Sequence, residues 1–244
     1  TKNLPTPTIK KPSEHFNTIL YTGNDADDRT LTGVGFQPDL VWLKTRNAAN
    51  WHQLHDVLRG AGNVLYSNET NSEYTSDDDF KAFTSDGFTV DDDAADINAS
   101  EHTYVAWNWK AGGSGSSNTD GAQTTTVSAN TTAGFSIVTW TGTGSATTFG
   151  HGLGAVPKVY IMKRRDSANY WWIGTTTIDG SHDFGELDTA VAFGASSLTA
   201  PTSSVFYSDG TQNTSSATYV AYVFAEVPGF SKFGSYTGNG STLG

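Results

Sequence analysis

Residues 16–51 read FNTILYTGNDADDRTLTGVGFQPDLVWLKTRNAANW, and 119 positions later residues 135–170 read FSIVTWTGTGSATTFGHGLGAVPKVYIMKRRDSANY. Ten of these 36 ungapped columns are identical, among them Phe16/Phe135, Gly23/Gly142, Pro38/Pro157, Lys44/Lys163 and Arg46/Arg165. The unit ends match too. TYVA at 103–106 returns at 218–221, and FTSDG at 83–87 resembles FYSDG at 206–210. Self-similarity at a long fixed period marks a repeat architecture. The chain divides into a Pro-punctuated basic arm (1–15), a first unit (16–111), a Gly/Ser/Thr-rich linker (112–134) and a second unit (135–229). A third start follows at 230–244, where Tyr236-Thr237-Gly238 echoes Tyr21-Thr22-Gly23. That stretch reads as an orphan strand, with nothing in the chain to pair it.

Within the units, residues 16–22, 39–45, 104–109, 135–141, 158–164 and 218–225 are short, aromatic or β-branched, and bounded by Gly, Asn or Asp. These are strand signals. Trp107 and Trp109, two apart, share a face of such a strand. Asp86-Gly87 and Asp209-Gly210 predict hairpin turns. Residues 48–58 are the best helical stretch. The expected fold class is all-β: two tandem homologous β-sandwiches, jelly-roll or lectin-like, with an extended N-terminal arm and a C-terminal extra strand.

Composition narrows the function. The chain has no cysteine, which excludes disulfides, thiolate metal sites and a Cys nucleophile. No apolar run approaches the roughly 20 residues of a membrane-spanning helix. A net charge of −11 argues against a nucleic-acid partner. The charge is uneven, since residues 17–110 carry 16 acidic groups against 6 basic ones. Aromatics at 12% supply enough buried area to oppose disorder.

The scan for chemistry finds no nucleophile elbow, phosphate loop, dinucleotide fingerprint or zincin helix, so the chain reads as non-enzymatic. Asp25, Asp27 and Asp28 are a candidate calcium site, with solvated acidic loops as the competing reading. The second unit has Gly144, Ala146 and Thr147 there, so the site is not shared. Trp51, Trp171 and Trp172 are candidates for glycan stacking, against core or interface packing. Asn68, Asn98, Asn130, Asn213 and Asn239 each open an N-x-Ser/Thr sequon.

The runs FNTILYTGND, GVGFQPDLVWLKTRNAAN, LYSNET, FTSDGFTV, TYVAWNWKAGG, VSANTTAGFSIVTWTGTG and FAEVPGFSKFGSYTGNGS resemble a domain of unknown function. It occurs, often in tandem, in structural and tail-fibre-like proteins of tailed, largely aquatic bacteriophages. The resemblance covers most of residues 16–244 and implies an extracellular or virion setting. It carries no catalytic residues. The expected role is a structural subunit of a filament, a head-to-tail homopolymer whose terminal segments dock on a neighbouring copy. Leu4 and Ile9 in the arm, and Phe230, Phe233 and Tyr236 in the tail, are the candidate anchors. The alternative is a carbohydrate- or receptor-binding module whose partners are cell-surface glycans. No cofactor beyond calcium is expected.

Overall fold

All six predicted strands are present in the computed structural model, which describes residues 6–76, 78–92 and 96–241. The first repeat contributes β1 (Phe16–Thr22), β2 (Arg29–Thr32), β3 (Leu40–Thr45), β4 (Gln53–Asp56), β5 (Asn63–Tyr66), β6 (Tyr74–Thr75), β7 (Phe80–Thr84), β8 (Gly87–Val90) and β9 (Thr103–Trp109). Then follow β10 (Ser116–Asn118), β11 (Thr125–Asn130), β12 (Phe135–Thr141), β13 (Thr147–Gly150), β14 (Pro157–Arg164), β15 (Trp171–Thr175), β16 (Asp183–Glu186), β17 (Gly194–Ala195), β18 (Val205–Ser208) and β19 (Thr218–Ala225). Among the described residues, helical structure is limited to single 3-10 turns at Pro12–Glu14 and Gly210–Gln212.

Two large antiparallel sheets dominate. One runs β1-β9-β3-β4-β5-β6, the other β10-β11-β12-β19-β14-β15-β16-β17. Without β10 and β11, the second has the strand order of the first. A three-stranded sheet, β2-β8-β7, and a two-stranded one, β13-β18, complete the set. Side chains alternate across each large sheet, so the central strands feed two cores. Val41, Leu43 and Ala106 face Leu31, Phe80 and Phe88. In the second repeat Val138, Trp140 and Met162 face Phe149 and Phe206. The opposite faces share a third core, in which Leu40, Leu54 and Leu65 meet Phe135, Ile137, Trp171, Val220 and Tyr222.

Repeat-equivalent residues do the same work. Tyr21 stacks on Tyr104 at 5.0 Å, and Trp140 stacks on Tyr219 at 5.2 Å. Just beyond lie Gly23 and Gly142. A Cβ there would stand 2.0 Å from the Ala99 carbonyl oxygen and 2.1 Å from that of Thr214. Backbone packs directly on backbone at both places, which only glycine permits.

The structure revises several sequence expectations. Within residues 48–58 there is no helix but β4, all four residues buried. Both of its faces are covered: His55 stacks on Phe80 at 4.3 Å, and Leu54 enters the shared core. Three of its four buried residues, Gln53, His55 and Asp56, are polar, so the strand lacks the apolar run that marks one buried on both faces. The linker carries β10 and β11, which extend the second sheet, with Thr125 and Val127 buried. A tight turn does join β7 and β8, but at Ser85-Asp86, one residue before the expected Asp86-Gly87, because Gly87 already pairs in β8. Asp209-Gly210 instead opens a 3-10 turn, with the Asp209 side chain accepting from the Thr211 N–H at 2.8 Å. Structurally, Phe206 opposite Phe149 corresponds to Phe88 opposite Leu31, so FTSDG and FYSDG sit at different places. No strand forms within the described part of 230–244. Both edges of β19, the strand before the tail, are already taken by β12 and β14, so the tail cannot continue the sheet beside it.

Candidate assembly site

The seam between the repeats is fastened by charge as well as by apolar contact. Asp56 ends β4, and Arg59 follows in the next turn. Arg59 Nε donates to Asp56 Oδ2, Nη1 to Glu73 at 2.9 Å, and Nη2 to the Leu54 carbonyl at 2.7 Å. From the second repeat, Arg165 grips Glu73 with its Nε and Nη2, and Tyr222 Oη donates to Asp56 Oδ2 at 2.8 Å. The Arg59 and Asp56 side chains have no solvent exposure. Burial opposes the Arg59 charge, but Asp56, Tyr222 and Glu73 outweigh it and hold its pKa above the usual value. Each ion is thus paired and hydrogen-bonded, the condition for tolerating charge in a core.

Two more buried groups brace this seam. Lys163 Nζ donates to the Thr70 carbonyl at 2.8 Å and to that of Asn169, and burial pulls its pKa down to about 8. Trp171 Nε1 donates to the Tyr66 carbonyl at 2.7 Å. Trp171 is fully buried, which removes it from the glycan-stacking set. Trp172 packs on Phe184 at 5.4 Å, and Trp51, 46% exposed, leans on Tyr66. Successive strand residues point to opposite faces, so Trp171 and Trp172 do not form one platform.

At one end of the seam the equivalent pairs Phe16–Trp109 and Phe135–Phe224 come together, with Trp109 and Phe135 at 6.2 Å. They line an apolar groove of about 370 Å³ closed on one side by Phe230 and Phe233. Ile9 is buried against Ala133, Val227 and Phe230 of its own chain. Phe233 packs on Phe224 at 6.0 Å, and its N–H donates to Glu226 at 3.0 Å. These three anchors are therefore spent within the chain, because the groove end offers them the apolar cover that water does not. Leu4 lies outside the described residues. Tyr236 is 94% exposed.

The acidic loops gather differently from expectation. Asp25 turns away, accepting from the Ser100 N–H at 2.8 Å. Asp27 and Asp28 converge with Asp91 on Lys81 Nζ, at 3.2 and 3.0 Å for the first two. Asp27, Asp91 and Asp92 also have carboxylate oxygens within 4.8 Å of one another. Burial pushes Asp91 up, but hydrogen bonds from Asp27 and Lys81 prevail and bring it to about 2. The ammonium thus supplies the cation for the Asp27, Asp28 and Asp91 group.

Two sequons are closed by the fold. Asn98 and Asn213 are buried, and their amides donate to backbone carbonyls of Ala26 and Asp91, and of Ser145, respectively. Asn130 Nδ2 is held by His15 and the Lys110 carbonyl, and Asn68 accepts from the His52 N–H. Asn239 sits on the exposed tail.

Sequence reasoning missed Arg59, Glu73 and Tyr222, and the seam role of Asp56. The identity Arg46/Arg165 was the visible signal, although Arg165 alone reaches across the seam.

A family model described as a domain of unknown function, DUF7483, matches residues 11–244. The chain belongs to the DUF7483 family. The matched span contains both repeats and the tail. No curated protein and no solved structure matches the chain.

Proposed function

We propose that this DUF7483 protein is a non-enzymatic structural subunit that assembles head-to-tail with copies of itself, in an extracellular or virion filament of tailed-phage type. In this reading each repeat is a β-sandwich of jelly-roll or lectin-like type, homologous to the other. The carrying observation is the tail. From Gly234 to Gly240 it makes no backbone–backbone hydrogen bond among the described residues, and it holds an aromatic ring in solvent. Extended backbone of this kind gains most by adding to a sheet on another chain. The buried charges support the reading, since they brace the subunit. Removing residues 234–244 keeps Phe230 and Phe233 in their groove. That deletion is expected to abolish assembled species in negative-stain images while leaving the melting temperature within a few degrees. Filaments that persist after the deletion would refute tail donation.

A second reading has its own observation. Trp42 and Trp107 meet edge-to-face at 6.1 Å on the face of the first large sheet that also carries Leu40, and with Lys44, His52 and Trp109 they line a groove of about 400 Å³. Aromatic faces beside polar groups suit a sugar ring. A carbohydrate-binding role predicts glycan-array binding that Trp107→Ala abolishes. Binding indifferent to that change, or none on a broad array, would exclude it.

A further inference from the structure

The two repeats differ at one edge. In the second, the outer edge of β12 is paired along its length by β11, with Thr126 opposite Thr139, Ser128 opposite Ile137 and Asn130 opposite Phe135. The equivalent strand β1 ends its sheet, and its outer edge has no partner strand among the described residues. By the 119-residue offset, the counterpart of β11 (Thr125–Asn130) is residues 6–11. That segment is diverted to the groove end of the seam. Ile9 is buried there, the Thr8 N–H reaches the Pro228 carbonyl, and Pro7 lies against Gly229. Pro7, with Pro5 and Pro12 around it, lacks the N–H that a ladder needs.

The open edge carries usable groups. The Thr18 N–H donates to the side chain of its neighbour Asn17 at 3.0 Å, not to a facing strand. Strand parity puts the Leu20 N–H on the same side. Leu20 is 62% exposed, the largest exposure of an apolar side chain on β1. Long open edges are pairing templates, and proteins otherwise blunt them.

We infer that the outer edge of β1 is the acceptor site of the assembly, and that residues 234–241 of a second copy add to it antiparallel, in the position β11 holds on β12. The inference rests on the assembly reading and names the surface that receives the tail. The donor side fits. Tyr236 and Leu20 are both uncovered, and stacking one on the other buries both. Gly234 and Gly238 flank Tyr236 on its own face and leave room beside it. The contact joins unlike surfaces, tail to edge, so it propagates instead of closing into a dimer.

The test uses the full chain. Thr18→Pro removes an outward N–H and no bond to β9, so the fold is retained. It should eliminate assembled species at concentrations where the unaltered chain assembles. Tyr236→Ser, which alters a residue outside the folded core, should weaken assembly in the same direction. Hydrogen exchange provides an independent readout: the Thr18 and Leu20 amides should become protected as the unaltered chain assembles. A chain that assembles with these amides unprotected, and equally well as Thr18→Pro, overturns the acceptor assignment while self-assembly stands. A chain that stays monomeric at every concentration overturns both.

Discussion

Replacing Arg59 by Met is expected to cost about 3–5 kcal/mol of stability, the range for removing one partner of a buried ion pair. The loss does not come from one bond. Arg59 satisfies Asp56, Glu73 and the Leu54 and Asn63 carbonyls, and all are buried or nearly so. Met fills similar volume but donates nothing from its side chain, so two carboxylates and two carbonyls each lose a donor together. Asp56 and Glu73 also hold Tyr222 and Arg165 of the second repeat, so the damage crosses the seam. Urea unfolding should show both repeats weakening in one transition. The contrast is Lys81→Ala, on a partly exposed side chain whose ion pairs are partly screened by water, which should cost much less. An Arg59→Met chain as stable as the unaltered one would mean the seam is held by apolar contact alone.

Acid should unfold this protein early, and His55 is the main reason. Its ring is buried and stacked on Phe80, with Nδ1 against the Ala61 carbonyl and Nε2 against the Gln53 side chain. Burial pushes its pKa from 6.5 down to about 3, the Ala61 carbonyl pulling partly back and the Arg59 charge pushing further down. The fold therefore keeps the ring neutral, whereas the unfolded chain protonates it below about pH 6.5. Stability from this group is complete above that pH and falls as pH drops from 6.5 toward 3. The slope is about 1.4 kcal/mol per pH unit, hence about 2 kcal/mol by pH 5. His151 and His182, also lowered chiefly by burial, act in the same direction. Urea midpoints at pH 7 and pH 5 measure the drop. His55→Gln should flatten the slope whatever it does to stability at pH 7, and an unchanged slope would remove His55 from the account.

The sequence showed most of what depends on local pattern. The repeat placed β1, β3 and β9 opposite β12, β14 and β19, because half-buried strands show aromatic and β-branched runs between turns. It failed for β4, three of whose four buried residues are polar. It failed also for the seam, where Glu73 meets Arg165 and Asp56 meets Tyr222, since no spacing rule reports contacts between residues so far apart in sequence. The terminal anchors were legible as apolar residues in polar surroundings, but not their targets. Ile9, Phe230 and Phe233 all found cover on their own chain, and Tyr236 did not. The open edge of β1 became visible only when its ladder could be compared with that of β12.

Sedimentation velocity of the full 26.0 kDa chain over a wide concentration range tests self-assembly most directly. The assembly proposal predicts a series of larger species that grows with concentration without settling on one closed oligomer. A single 26.0 kDa species throughout, or a dimer that saturates, would contradict it.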